Sequence, residues 1–233
     1  MTRWIGILVW MALWMAPTIA AAETPLHGVA EFKIGGYYPA IDDEFGGASQ
    51  PFRDIFSEGD LVYGELEFDT TLWRGVGSLA AGFHIGYTTV KGNVLSSNDT
   101  AISDTTSMTI VPLRASLVYR YDHSAKHHSI PLVPVLKCGL DYALWWVDGA
   151  DGETSTFDGS QASGGIMGAH GSVAIHLLLD IFSEASAASL DLNWGVNNSY
   201  FFAEYMITRI DNFSEDGFDL SDDIWAFGLA FEF

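Results

Sequence analysis

Eight times along this chain, apolar residues alternate one by one with small or polar residues. The last segment shows it most cleanly: Trp225, Phe227, Leu229, Phe231 and Phe233 alternate with Ala226, Gly228, Ala230 and Glu232. Successive side chains of a strand point to opposite faces, so each such segment reads as a strand with one apolar face. Ala30, Phe32 and Ile34 stand against Glu31 and Lys33. Gly64, Leu66 and Phe68 stand against Tyr63, Glu65 and Glu67. Leu79 to Tyr87 alternates with Ala80 to Thr88, and Val111 to Tyr121 opposes Arg114, Ser116 and Arg120. Leu136, Cys138, Leu140, Tyr142 and Leu144 oppose Lys137, Gly139, Asp141 and Ala143. Val173, Ile175, Leu177 and Leu179 oppose His170, Ser172, Ala174 and His176. The seventh segment, about Asn198 to Ile210, is aromatic on both faces and leaves its phase open.

The second face decides the setting. A water-soluble sandwich would carry many Lys, Glu and Asp on its outward positions. Here those positions are Gly, Ala, Ser or Thr with single charges of both signs, which suits the inside of a narrow barrel. The expectation is therefore an all-β fold: a closed antiparallel up-and-down transmembrane β-barrel of about eight strands. In hydrocarbon every backbone N–H and C=O must be paired within the protein, and a closed barrel achieves that.

The beginning of the chain has to be set apart from the fold. Arg3 precedes the uncharged apolar stretch Trp4 to Met15, and Pro17 precedes Ala20-Ala21-Ala22, an A-x-A pattern. The expectation is a signal peptide over 1–22, cleaved after Ala22, and a barrel domain over 23–233. Without Arg3 the chain keeps nine basic residues against 30 acidic ones. That balance excludes a nucleic-acid partner, which needs a basic face. Cys138 is the single cysteine, so no internal disulfide can form.

Long and short connections alternate. The long ones are 40–60, 92–106, 148–163 and 211–223; the short ones are 74–77 and 122–129. The connection 180–197 is longer than an up-and-down order requires, and a short helix would fit there. Long outer loops and short inner turns place both termini on the periplasmic side of a bacterial outer membrane. Girdle candidates are Tyr37, Tyr87, Tyr142 and Trp146 at the outer edge, and Trp73, Tyr119 and Tyr121 at the inner edge. Pro112 and Pro134 fall within strands although neither can donate a ladder bond, so both are expected at rims or bulges.

The chain closes on Phe233 inside an aromatic strand, as chains recognised by outer-membrane assembly machinery do. Phe32-Lys33-Ile34-Gly35-Gly36-Tyr37-Tyr38-Pro39 with Ile41-Asp42, Ile130 to Pro134 with Lys137 to Leu140, Gly195 to Phe202, and Ser221 to Trp225 occur along most of the chain. Together these blocks resemble a family of outer-membrane β-barrel proteins of myxobacteria and related groups. The family is functionally uncharacterised, so the resemblance implies fold and location and transfers no catalytic or binding residue.

Four groups of residues could carry chemistry. The inward charges Glu31, Lys33, Glu65, Glu67, Arg114, Arg120, Lys137, Asp141, Glu204 and Glu232 could gate a pore, or could simply pair with one another as a filling. His170 and Ser172 share a face and, with Glu204, would make a hydrolase triad. His123, His127 and His128 beside Lys126 could hold a transition metal. Acidic loops (Asp42, Asp43 and Glu44; Asp148, Asp151, Glu153 and Asp158; Glu215, Asp216, Asp219, Asp222 and Asp223) could bind divalent cations that bridge to lipopolysaccharide. The bland reading is favoured for each: paired filling, ordinary strand residues, solvated turn, solvated loops. The expectation is a non-enzymatic barrel with no cofactor and a structural or envelope-interaction role. A small pore or apolar-solute carrier, a barrel-embedded lipid hydrolase and a soluble lipocalin-like binder are the alternatives.

Overall fold

The computed structural model describes residues 27–56, 59, 61–95, 101–123, 125, 130–157, 159–215 and 217–233. The signal peptide expected over 1–22 lies outside them, as do Lys126, His127, His128, Asp158 and Asp216. In chain order the strands are β1 (Gly28–Tyr37), β2 (Leu61–Gly75), β3 (Gly77–Leu95), β4 (Ala101–Arg120), β5 (Leu132–Asp148), β6 (Thr156–Phe157), β7 (Ser160–Gln161), β8 (Ser163–Leu178), β9 (Asn198–Arg209) and β10 (Asp222–Glu232). Eight of them close a barrel in the order β1-β10-β9-β8-β5-β4-β3-β2, every pair antiparallel. β6 and β7 form a small separate ribbon in the loop after β5. The up-and-down barrel expected from the alternation is the observed fold.

The outward row is apolar all the way round. Phe32 and Ile34 on β1, Leu66 and Phe68 on β2, Phe83 and Ile85 on β3, Leu136 and Leu140 on β5, and Phe227 and Leu229 on β10 are all exposed. Among the described residues, charges enter this row near its loop end, as with the Arg209–Asp223 pair. The ten residue steps from Asp223 to Phe233, at about 3.4 Å each and a tilt near 40°, span roughly 26 Å, the height of a bilayer's apolar band. No helix among the described residues is long and apolar enough to cross a membrane.

The inward row is layered. At the loop end Tyr37, Ile41, Phe52, Met108, Ile110, Met206, Ile210 and Ile224 pack into an apolar plug. At the turn end Val29, Val118, Val133, Val135, Tyr200 and Phe202 make a second. The charged residues lie between the two. β9 acquires its phase here, with Tyr200, Phe202, Glu204 and Met206 facing in and Phe201 and Ile207 facing out. Tyr37 is not a girdle residue. Its position has the inward parity of Glu31 and Lys33, and its buried hydroxyl donates to Leu220 O at 2.8 Å.

Pro134 lies near the rim, as expected, facing outward beside the turn-end tyrosine Tyr121, whose N–H donates to its carbonyl. Pro112 does not. It sits mid-strand, and the β3–β4 ladder pairs Ile85 with Leu113 and Thr88 with Ile110 but drops the two positions between. Gly86 accommodates it, because a Cβ there would come within 2.8 Å of the Pro112 ring. The 92–106 stretch is not mainly loop either. β3 and β4 continue through most of it as a ribbon that extends past their ladders with β2 and β5.

The connections follow local rules. β2 turns into β3 through Val76 alone, and Gly77 takes φ +91°, which only glycine adopts without strain. In the first loop a 3-10 turn (Ala40–Phe45) precedes helix α1 (Pro51–Phe56). The Asp42 carboxylate accepts the N–H groups of Phe52 at 2.8 Å and Arg53 at 3.1 Å. Between β8 and β9 the long connection at the turn end contains helix α2 (Glu184–Trp194). Ser183 caps its start and left-handed Gly195 ends it.

Candidate functional site

The central layer of the lumen is where chemistry-bearing side chains converge. Inward parity and register bring Glu31 of β1 opposite Glu67 of β2, and Lys33 opposite Glu65. All ten charges expected to face inward are buried, and Asp69, His84, His170 and His176 join them. Lys33 Nζ lies 3.0 Å from Glu65 Oε1, 3.0 Å from Glu67 Oε2 and 2.9 Å from Glu204 Oε2. Lys137 Nζ lies 2.6 Å from Glu31 Oε2, 2.6 Å from Glu67 Oε2 and 3.3 Å from Glu204 Oε2. Arg120 holds Glu31 and, at 2.8 Å, Asp69. Arg114 contacts Tyr63 and Glu65, and its Nε lies 3.2 Å from Asp141. Glu232 is set apart at the turn end, accepting from Asn198 at 2.9 Å and Tyr200 at 3.1 Å.

This arrangement fits a filling better than a passage. Each ammonium bridges three carboxylates carried by other strands, so the charges tie the wall across the lumen. The apolar plugs close the layer at both ends. A void bounded by Tyr37, Tyr63 and Arg114 measures about 10 Å³, no more than one water. His176 stacks on Phe202 at 4.7 Å and 12°, adding to the seal at the turn end.

The triad anticipated from His170, Ser172 and Glu204 does not assemble. On β9, His170 pairs with Thr208 and Ser172 with Met206, whereas Glu204 pairs with Ala174. Glu204 is taken by the two lysines, and His170 Nδ1 lies 2.6 Å from Asp141 Oδ1 instead. A different relay is present. Ser116 Oγ contacts His84 Nε2, and His84 Nδ1 lies 3.0 Å from Glu65 Oε1. Its order is that of a hydrolase triad. Its serine is enclosed in the lumen, however, with Gly82 and Gly139 as ladder neighbours, and its carboxylate is already bound by Arg114 and Lys33. Inward parity on adjacent strands was the available sequence signal for it; the register was not.

Among the described residues, two clusters could offer three metal-ligand atoms: Glu65, Glu67 and His84, and Glu31, Glu67 and Glu204. Both lie in the lumen, and Lys33 and Lys137 stand on the same carboxylates, so an ammonium occupies the cation's role in each. The acidic loops instead spend carboxylates on turns: Asp42 on α1, Asp148 on Thr154, and Asp219 on Ser221 N–H. Of the three turn histidines, His123 is the described one; its ring is tilted beside Tyr121 at 6.2 Å.

No protein-family model and no curated protein matches the sequence. Among solved structures, the chain is similar to the attachment invasion locus protein Ail of Yersinia pestis, with 10% identity, a TM-score of 0.41, and coverage of 89% of this chain and 99% of that one. It is also similar to the outer membrane enzyme PagL (12% identity, TM-score 0.38, 88% and 97% covered). A third is a major outer membrane protein from Thermus thermophilus (11% identity, TM-score 0.38, 88% and 99% covered).

Proposed function

We propose that the protein is an integral outer-membrane β-barrel with a structural or envelope-interaction role, and that its lumen braces the wall instead of conducting solute. The observation that carries this reading is the inversion of polarity: an ion-paired interior inside a continuous apolar exterior. Water would penalise that exterior, whereas acyl chains accept it. The long loops belong outside and the tight Val76 turn inside, which puts both chain ends on the periplasmic side. Lipid and lipopolysaccharide are then the proposed neighbours of the belt. Supporting a non-enzymatic role, the Ser116–His84–Glu65 relay has no path to a lipid headgroup.

The experiment is cell fractionation joined to gel migration with and without boiling. The protein should be found in the outer-membrane fraction, as a compact band that shifts on heating. Extraction into buffer without detergent would overturn the reading. In planar bilayers the folded protein should give conductance at background level; steady channels would revive the pore.

A further inference from the structure

The loop end carries a cleft that neither the lipid belt nor the ion-paired lumen uses. It measures about 280 Å³, near the small end of ligand sites. Four phenylalanine rings wall it: Phe45, Phe52, Phe56 and Phe218. Phe52 and Phe56 hold each other at 5.1 Å, and Trp145 backs Phe218 at 4.6 Å, so three of the four rings have an aromatic neighbour. Ile41 and Met108 also line it, and both belong to the loop-end plug below. The cleft is therefore a dead end and not the mouth of a conduit. Among the described residues its wall holds no ionisable side chain, and the Thr106 hydroxyl is already committed to Asp148 O at 3.0 Å.

A further observation narrows the occupant. Its surroundings are net acidic: Asp42, Asp43 and Glu44 outnumber Arg53 in the same loop, and Asp219 follows Phe218, its N–H donating to Glu44. A carboxylate or phosphate amphiphile would meet like charge at this rim. We propose that the cleft binds a free, uncharged aromatic hydrocarbon of one or two rings, held by stacking and edge contacts with the phenylalanines. Which side of the membrane it faces rests on the orientation proposed above; the binding does not, and titration and heat-shift assays fail independently.

Three methionines allow a test on the whole protein. Met108 lines the cleft, Met206 lies deeper in the plug, and Met167 faces lipid. With methionine methyls labelled with carbon-13 and the protein in phospholipid nanodiscs, naphthalene is titrated as the probe. The Met108 signal should shift and saturate, while Met167 drifts linearly as naphthalene partitions into lipid. Val147→Trp, which fills the cleft, should weaken the saturable response at least tenfold and leave Met167 unchanged. If that variant fails to fold, the comparison of Met108 with Met167 in the parent protein decides alone. A Met108 response that only tracks Met167, a saturable response that survives in folded Val147→Trp, or lipid acyl contacts to Met108 before any addition would overturn the proposal.

Discussion

Replacing Lys137 by Met tests the bracing role of the lumen most sharply. The change keeps a long side chain and removes a charge that touches Glu31, Glu67 and Glu204. Leaving a buried ion without its partner costs about 3–5 kcal/mol. Here each carboxylate keeps a second cation: Arg120 for Glu31, and Lys33 at 3.0 and 2.9 Å for Glu67 and Glu204. The expected loss is therefore at the lower end, about 3 kcal/mol. With a urea dependence near 2 kcal/mol per molar, the unfolding midpoint in lipid vesicles should fall by roughly 1.5 M. The fraction of heat-shiftable band reports it. Adding Glu204→Gln removes one of the carboxylates that lost a cation, so the double variant should regain about 1–3 kcal/mol through coupling. A single-variant midpoint within about 0.3 M of the parent, or purely additive losses in the double variant, would refute the bracing argument.

Other substitutions probe separate parts of the account. Phe202→Ala empties the turn-end plug beside His176 and should cost about 3–5 kcal/mol in the same urea assay. Gly86→Val should cost about 1–3 kcal/mol by driving a side chain into Tyr63 and Pro112; in the Pro112→Ala background the cost should shrink, which a double-variant cycle measures. Ser116→Ala should leave esterase and lipid-deacylation assays at the blank level of the parent protein and cost about 1–3 kcal/mol of stability, because buried His84 Nε2 loses its partner.

The fold was legible because the outer face and the lumen carry opposite kinds of residue. Wherever the inward row is charged or small, as along Glu31-Lys33 or Lys137-Gly139-Asp141, parity alone identifies both faces. The plugs are where that contrast disappears. Phe202 and Tyr200 face the lumen and Phe201 faces outward, so β9 shows aromatics on both parities and its phase comes from its ladders with β8 and β10. Tyr37 misleads for the same reason, being an aromatic near a strand end that serves the interior. The Ser/Thr/Asn composition of 92–106 reads as loop although much of it is a ribbon, because β3 and β4 pair there through their backbones. Pro112 is tolerated mid-wall because glycine stands across from it, which depends on register. Register also decides the site. Nine of the ten inward charges follow from parity, whereas the placement and partners of Glu204 and the Ser116–His84–Glu65 contact require knowing which residues of different strands stand level.

The central claim is that the apolar row faces acyl chains, and the single native cysteine sits on that row in mid-strand, exposed. A nitroxide label on Cys138, read by electron paramagnetic resonance in lipid vesicles, compares collisions with oxygen and with a water-soluble nickel chelate. The account predicts high oxygen and low nickel accessibility. Greater nickel accessibility, or protection from both reagents, would contradict it.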